Sequence, residues 1–305
     1  MTQPKQRTLL ITGSNGLLGD KLLAQALGRY RVVALSAGPC ANAHHGDFEF
    51  HQVDIRHREA VMDVIRGVRP DVVVHTAAMT NVDGCQREPE AAWDINAMGS
   101  MHVADACNLA GSRLVAVSTD YVFDGHNGPY AENARTHATS AYGRSKLAAE
   151  QTVAAACEDY AIARTSVLYG LAPHIRANFV TWLIGELQAG REVKVVTDQT
   201  SNPTLADSLA EMCLALAESD AQGIFHTCGA DWLSRYDMAL QIVRLFGLDG
   251  GLILPIETEW LRQPALRPKH SGMLTDRIAN EVGVKPLTCE EALRRFKAQW
   301  DAARL

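Results

Sequence analysis

The chain has 305 residues, 47% hydrophobic and 21% charged, with a net charge of −6 and a pI near 6.0; that is room for one large α/β domain or for a larger and a smaller lobe. The acidic balance argues against a partner such as nucleic acid or an anionic membrane, although it is compatible with a local basic pocket for a phosphorylated small molecule. No apolar run reaches the roughly 18–20 residues of a membrane span, the start MTQPKQR lacks a signal-peptide core, and seven scattered cysteines with no CxxC indicate neither disulfides nor a zinc site, so a cytoplasmic protein is expected.

Short β-branched runs alternate with helical patterns along the first half. Residues 8–12 (TLLIT) predict a buried strand and 17–27 a helix. Strands follow at 31–35 and 48–53, then a helix over 61–68 that stops before Pro70. Residues 71–75 (DVVVH) form another continuous apolar strand, and 89–110 carry one long helical pattern ended by Gly111. A strand at 113–118, a helix at 141–156 and a strand at 161–166 complete the series. Continuous apolar strands separated by helices imply a parallel sheet covered on both faces, wound as a doubly wound, Rossmann-type α/β fold.

After about residue 168 the rhythm loosens. Helices are expected at 178–188, 205–217, 236–246 and 290–303, with strands at 192–196 and 223–227. The expected division is a dinucleotide-binding domain over 1–168, joined again by 195–228. Residues 169–194 and 229–305 then form a smaller C-terminal substrate-binding lobe.

The loop Gly13-Ser14-Asn15-Gly16-Leu17-Leu18-Gly19 lies between the first strand and the first helix. Glycines there let backbone approach a pyrophosphate, and free helix N–H groups favour its charge. An acid at the end of the second strand would grip the 2′-hydroxyl of NAD. Here that strand runs into Ser36, with no acid before Asp47 and no arginine in place of one, although His44 and His45 follow. The expected cofactor is therefore NADP (NADPH), with NAD as the alternative. Asp54 and Ile55 follow the third strand and are read either as an adenine edge or, for Asp54, as a helix N-cap. The small pair Ala77-Ala78 after the fourth strand would let a cofactor lie close to backbone.

Tyr142 and Lys146 stand at i,i+4 on a helix and share a face. A nearby ammonium would lower the phenol pKa, and the tyrosine could protonate a carbonyl oxygen as hydride arrives at carbon. The preceding strand ends at Ser118-Thr119, on the same side of such a sheet.

Several blocks together resemble the extended short-chain dehydrogenase/reductase family, and within it the dTDP-4-dehydrorhamnose reductase group. They are the glycine loop, HTAAMTNVDGCQREPE at 75–90, STDYVFDG at 118–125, YGRSK at 142–146, DQTSNPT at 198–204 and RPKHSGML at 267–274. The resemblance implies an NADPH-dependent reductase of a nucleotide-linked 4-keto-6-deoxy sugar, with Thr119, Tyr142 and Lys146 as its catalytic triad. Gly13, Asn15, Gly16, Leu17, Leu18, Gly19, Ser36, Asp54, Ile55, Ala77, Ala78 and Met79 would serve the cofactor site together with Tyr142 and Lys146, with Asn96 as a structural or relay asparagine of that site. Thr119 and Asp120 would touch the sugar, and Arg267 would lie near substrate phosphates. The expected partner is thus a small nucleotide-sugar; a homodimer is compatible with this reading.

Two departures put the particular sugar in doubt. Val167 or Leu168 stands where the group carries an aromatic residue, and the DQ-x-G-x-PT block lacks its glycine, with Asn202 before Pro203-Thr204. Two rival readings are a nucleotide-sugar epimerase or dehydratase with tightly bound NAD, and a non-catalytic regulator like the beta subunit of methionine adenosyltransferase. No metal is expected. His44, His45, His51 and His57 show no accompanying ligand spacing and read as a solvated loop and strand face. Trp232, Trp260 and Trp300 read as packing residues, and Cys85 has no histidine partner to make it a nucleophile.

Overall fold

The computed structural model describes residues 6–303. Its centre is a sheet of seven parallel strands. Six are β1 (Thr8–Thr12), β2 (Arg31–Ser36), β3 (Glu49–Gln52), β4 (Val72–His75), β5 (Arg113–Thr119) and β6 (Tyr160–Thr165), and the seventh is Gly223–His226. The spatial order is Gly223–His226, β6, β5, β4, β1, β2, β3. The order reverses between β1 and β4, so a crevice opens beyond their C-terminal ends. All five residues of β1 are buried, as a strand covered on both faces requires.

Helix α1 (Leu17–Ala26) and helix Ala206–Glu218 cover one face of the sheet. Helices α2 (Arg58–Val68), α5 (Gly99–Ala110) and α6 (Ala141–Ala156) cover the other. A short α3 (Val82–Arg87) and α4 (Pro89–Trp93) precede α5. The single helix expected over 89–110 is interrupted by a π-turn, Asp94–Met98. Such a turn widens the helix by one residue and re-aims the side chains it carries, here Asn96.

A third core lies outside the sheet. Helices Phe179–Gln188, Arg235–Phe246 and Cys289–Ala302 pack around Val193–Val196, which pairs in parallel with Ile253–Ile256. The expected boundary at residue 195 thus falls inside a strand of this third core. Ile253–Ile256 escaped the sequence reading because Pro255 interrupts its apolar pattern. Two short strand pairs tie this region to the sheet ends, Leu168–Tyr169 with Thr204–Leu205 and Thr200–Ser201 with Leu233–Ser234.

Candidate active site

The crevice at the switch point has a volume of about 950 Å3 and is walled by the C-terminal ends of six strands. Gly13, Asn15, Gly16, Leu17 and Leu18 come from the β1–α1 turn, Ser36 from β2, and Asp54 and Ile55 from beyond β3. Ala77, Ala78 and Met79 follow β4, Thr119 ends β5 and Asp120 follows it, and Tyr142 and Lys146 project from α6. Residues chosen from distant stretches of sequence therefore meet in one cavity.

The turn can hold a dinucleotide. Gly13 has φ +70°, and a Cβ there would lie 2.6 Å from the Ala77 backbone nitrogen, so only glycine fits both its conformation and its neighbour. Asn15 pins the floor through hydrogen bonds with the Pro39 carbonyl (2.8 Å) and the Ala41 N–H (3.0 Å).

Three residues expected at the site do not line the crevice. Gly19 does not line the crevice: a Cβ on it would meet the Gly13 carbonyl oxygen at 2.5 Å, so its part is the close packing of α1 on the turn. Asn96 is fully buried behind the crevice wall. It binds both backbone groups of Met79 (2.7 and 3.0 Å) and donates to Ser145 Oγ (2.9 Å), which in turn donates to the Tyr142 carbonyl. It positions the β4 loop against α6 and reaches no ligand surface. Arg267 forms a two-pronged ion pair with Asp83 (2.6 and 2.8 Å), because α3 carries that carboxylate beneath it. It faces a second, neighbouring cavity with its charge already matched.

The N-cap reading of Asp54 is likewise set aside. The N-cap of α2 is His57, while Asp54 turns into the crevice and holds Arg56 at 2.6 Å. Arg56, missed in the sequence, also lines the crevice. Its signal was position, two residues after Asp54. His44 and His45 face the other way. Both reach the same oxygen of buried Asp20 (3.3 and 2.8 Å), which also accepts from Asn42 (3.0 Å). A carboxylate from α1 therefore accompanies them after all, in a group compact enough to ligate a metal; sequence spacing did not show it because Asp20 is remote in the chain.

The electrostatics of Tyr142 differ from expectation. Burial raises its phenol pKa well above the usual value; contact with the Thr119 hydroxyl opposes the rise, while Asp120 and Tyr121 add to it. Lys146 is not among the main causes, and its ammonium donates to the Val117 carbonyl (2.8 Å). Tyr142 is thus a protonated phenol across the neutral range. Burial pushes Lys146 down to about 8, against the pull of Glu150. It is half charged near that pH, almost fully charged about one unit lower, and loses its charge as pH rises. If catalysis needs the ammonium, kcat/KM for the cofactor falls above about pH 8, and Lys146→Arg moves that limb upward. A flat profile to pH 10 would exclude the ammonium's role.

Asp120 is buried and its pKa raised, mainly by desolvation, although Ser271 (2.5 Å) and Thr119 (3.1 Å) donate to it. Ser271 belongs to the 267–274 block, which explains why that block accompanies STDYVFDG. Val167, at the position of the expected ring, has φ +45°, a strained conformation for a β-branched residue, and lines the crevice. Asn202 lines neither cavity. It is fully buried and binds Gly229 and both backbone groups of Met273, so this departure is internal bracing. Among the tryptophans, Trp300 packs in the third core and Trp260 lies under Lys194 (3.5 Å). Trp182, not singled out, borders the second cavity. Cys85 is buried with a raised pKa, the state of an inert thiol.

Comparison with known proteins places this geometry. A family described as the RmlD substrate binding domain matches residues 7–301. The chain belongs to this family. RmlD-type proteins are extended short-chain dehydrogenases/reductases, as the sequence blocks implied. The chain is 36% identical over 291 residues to a dTDP-4-dehydrorhamnose reductase of Mycobacterium tuberculosis, covering 93% of this chain and 90% of that one. A solved dTDP-4-dehydrorhamnose reductase of Bacillus anthracis, in complex with NADP, superposes with a TM-score of 0.86 at 32% identity, covering 96% and 99% of the two chains. The methionine adenosyltransferase 2 subunit beta of Danio rerio is 30% identical over 278 residues, with 89% and 84% covered. Among the described residues, no helix is long and apolar enough to cross a membrane.

Proposed function

We propose that this RmlD-family chain is an NADPH-dependent reductase of a nucleotide-linked 4-keto-6-deoxy sugar, acting in sugar-nucleotide or polysaccharide precursor biosynthesis in the cytoplasm. The observation that carries this reading is the meeting of Thr119, Tyr142 and Lys146 with the Gly13 turn in one crevice. Bound along that crevice, the nicotinamide dinucleotide supplies the hydride. Tyr142, protonated across the neutral range, gives its phenolic proton to the ketone oxygen. Thr119 holds the phenol and the ketone in line. Lys146 orients the cofactor ribose and offsets negative charge on the tyrosine after transfer. The third core, Phe179–Gln188 to Cys289–Ala302, is the lobe that presents the substrate.

Ser36 supports NADPH over NADH. No carboxylate stands at the end of β2 to repel a 2′-phosphate, and the nearest lining guanidinium in sequence, Arg56, is already paired with Asp54. Ser36→Asp should raise KM for NADPH by at least about tenfold and spare NADH, because like charges in contact near a protein surface cost several kcal/mol. Equal effects on both cofactors would contradict the assignment. An epimerase or dehydratase would retain a tightly bound NAD, and a regulator would need no triad.

The reading as a whole is tested by following NADPH oxidation at 340 nm with a panel of nucleotide-linked 4-keto sugars. Substrate-dependent oxidation is expected. No oxidation with any member, together with a partner enzyme that co-purifies, would favour the regulator.

A further inference from the structure

The loop that follows β2 carries a cluster that the reductase chemistry does not use. Its 3-10 turn, Ala43–His45, brings two imidazoles onto one carboxylate of α1. Nε2 of His44 and Nε2 of His45 lie 3.3 and 2.8 Å from Asp20 Oδ1, and the two rings stand 4.0 Å apart. Asp20 is buried, yet among the described residues no lysine or arginine pairs with it; its neighbour Lys21 turns to Asp207. A buried carboxylate without a cation is costly. One nitrogen or oxygen atom from each of the three residues lies within 4.8 Å of the other two. Ligands bound at about 2.0–2.2 Å to a tetrahedral ion stand about 3.4 Å from one another, so modest side-chain shifts let these atoms share one. Asn42 is the second, independent sign. It is fully buried, its Nδ2 donates to Asp20 Oδ1 at 3.0 Å, and its Oδ1 has no hydrogen-bond partner. Such an orphan is rare inside a protein. Turning the amide over brings Oδ1 to the place of Nδ2, 3.0 Å from the carboxylate oxygen and in range of the same ion.

We infer that Asp20, His44 and His45, with Asn42 as the fourth ligand, form a binding site for a divalent transition-metal ion of the zinc class. Two imidazole nitrogens and a carboxylate suit such an ion and not magnesium, which keeps to oxygen. The ion takes both imidazoles in their neutral form and answers the charge of Asp20. Its place in the fold gives it a task. The Asn15 side chain ties the Gly13 turn to the loop at Pro39 and Ala41. The exposed His174, whose ring lies 6.2 Å from that of His44, holds the Asn15 carbonyl (3.0 Å). Asn15, Ser36 and Ala37 line the crevice where the loop begins. An ion joining α1 to residues 42–45 therefore clamps the loop in the form that borders the cofactor, and metal and NADPH strengthen each other's binding. The metal site stands whatever the reaction; its link to NADPH rests on the crevice being the cofactor site.

Calorimetric titration of zinc chloride into tag-free, chelator-treated protein tests the site. One zinc per chain is expected, with micromolar or tighter affinity. His44→Gln and His45→Gln, made singly, should each weaken zinc at least about tenfold, the least that losing even an outer partner of a ligand costs. Cys40→Ser, at the exposed thiol of the same loop, should leave zinc affinity unchanged. Co2+ in place of zinc should give visible ligand-field bands that disappear in the His44→Gln/His45→Gln double variant. Equal zinc affinity in wild type and that double variant would overturn the site, as would a loss confined to Cys40→Ser. NADPH affinity is then measured with and without zinc. A rise of about fivefold or more with zinc is expected in wild type, and none in the double variant. Unchanged NADPH affinity in the zinc-loaded wild type would overturn the clamp. Failure of NADPH to bind at all would count against the cofactor crevice and leave the metal site standing.

Discussion

Tyr142→Phe is expected to cut turnover by about 10²- to 10⁴-fold, the usual span for removing a positioned proton donor, while NADPH binds as before. The substitution deletes one oxygen and keeps the ring, which packs with Cys85 and Ala92 and meets Tyr121 edge-on at 5.5 Å. Most of the proposed cofactor contacts come from the Gly13 turn and from the ends of β2, β3 and β4. Turnover and binding should therefore separate cleanly. Near-wild-type activity in the variant would remove Tyr142 from the chemistry. Thr119→Val probes the same geometry more gently. It removes the hydroxyl that restrains the tyrosine pKa, so the proton should be harder to release.

Glu150→Ala is expected to destabilise the fold by roughly 3–5 kcal/mol, the cost of stranding a buried charge. Arg164 in β6 and Glu150 in α6 are both almost fully buried and pair through two hydrogen bonds (2.8 and 2.7 Å). Ser118 adds a third contact to Glu150 at 2.5 Å, and the Arg164 guanidinium lies over Phe123 at 5.2 Å. This network locks α6, which carries Tyr142 and Lys146, onto the end of β5, which carries Thr119. Activity and stability should fall together, and denaturant unfolding would show it as a lower midpoint. A midpoint within about 0.5 kcal/mol of wild type would mean the pair is dispensable.

The sheet was legible because its strands are continuous apolar runs, and TLLIT and DVVVH admit almost no other reading in an alternating chain. Helix α6 was found to the residue, since Ser140 caps its start. The π-turn at Asp94–Met98 was not legible, because a one-residue widening leaves the apolar period nearly intact. Most crevice residues were identified because they follow strand ends, a position that topology alone makes functional. Arg56 was not: it pairs with Asp54 two residues away, and nothing local shows that this pair faces the crevice. The pairing of Arg267 was not legible either: its partner, Asp83, lies 184 residues away. The tyrosine pKa was misjudged because i,i+4 spacing fixes a shared helix face and says nothing about where the ammonium points.

The central claim is direct hydride transfer to a sugar ketone. NADPH deuterated on the transferred face of its nicotinamide, incubated with the wild-type protein and a nucleotide-linked 4-keto-6-deoxy sugar, tests it by NMR of the product. The account predicts deuterium at the sugar C4 and stoichiometric NADP release. An unlabelled product, or a cofactor returned without net oxidation, would contradict it and point to an epimerase or dehydratase.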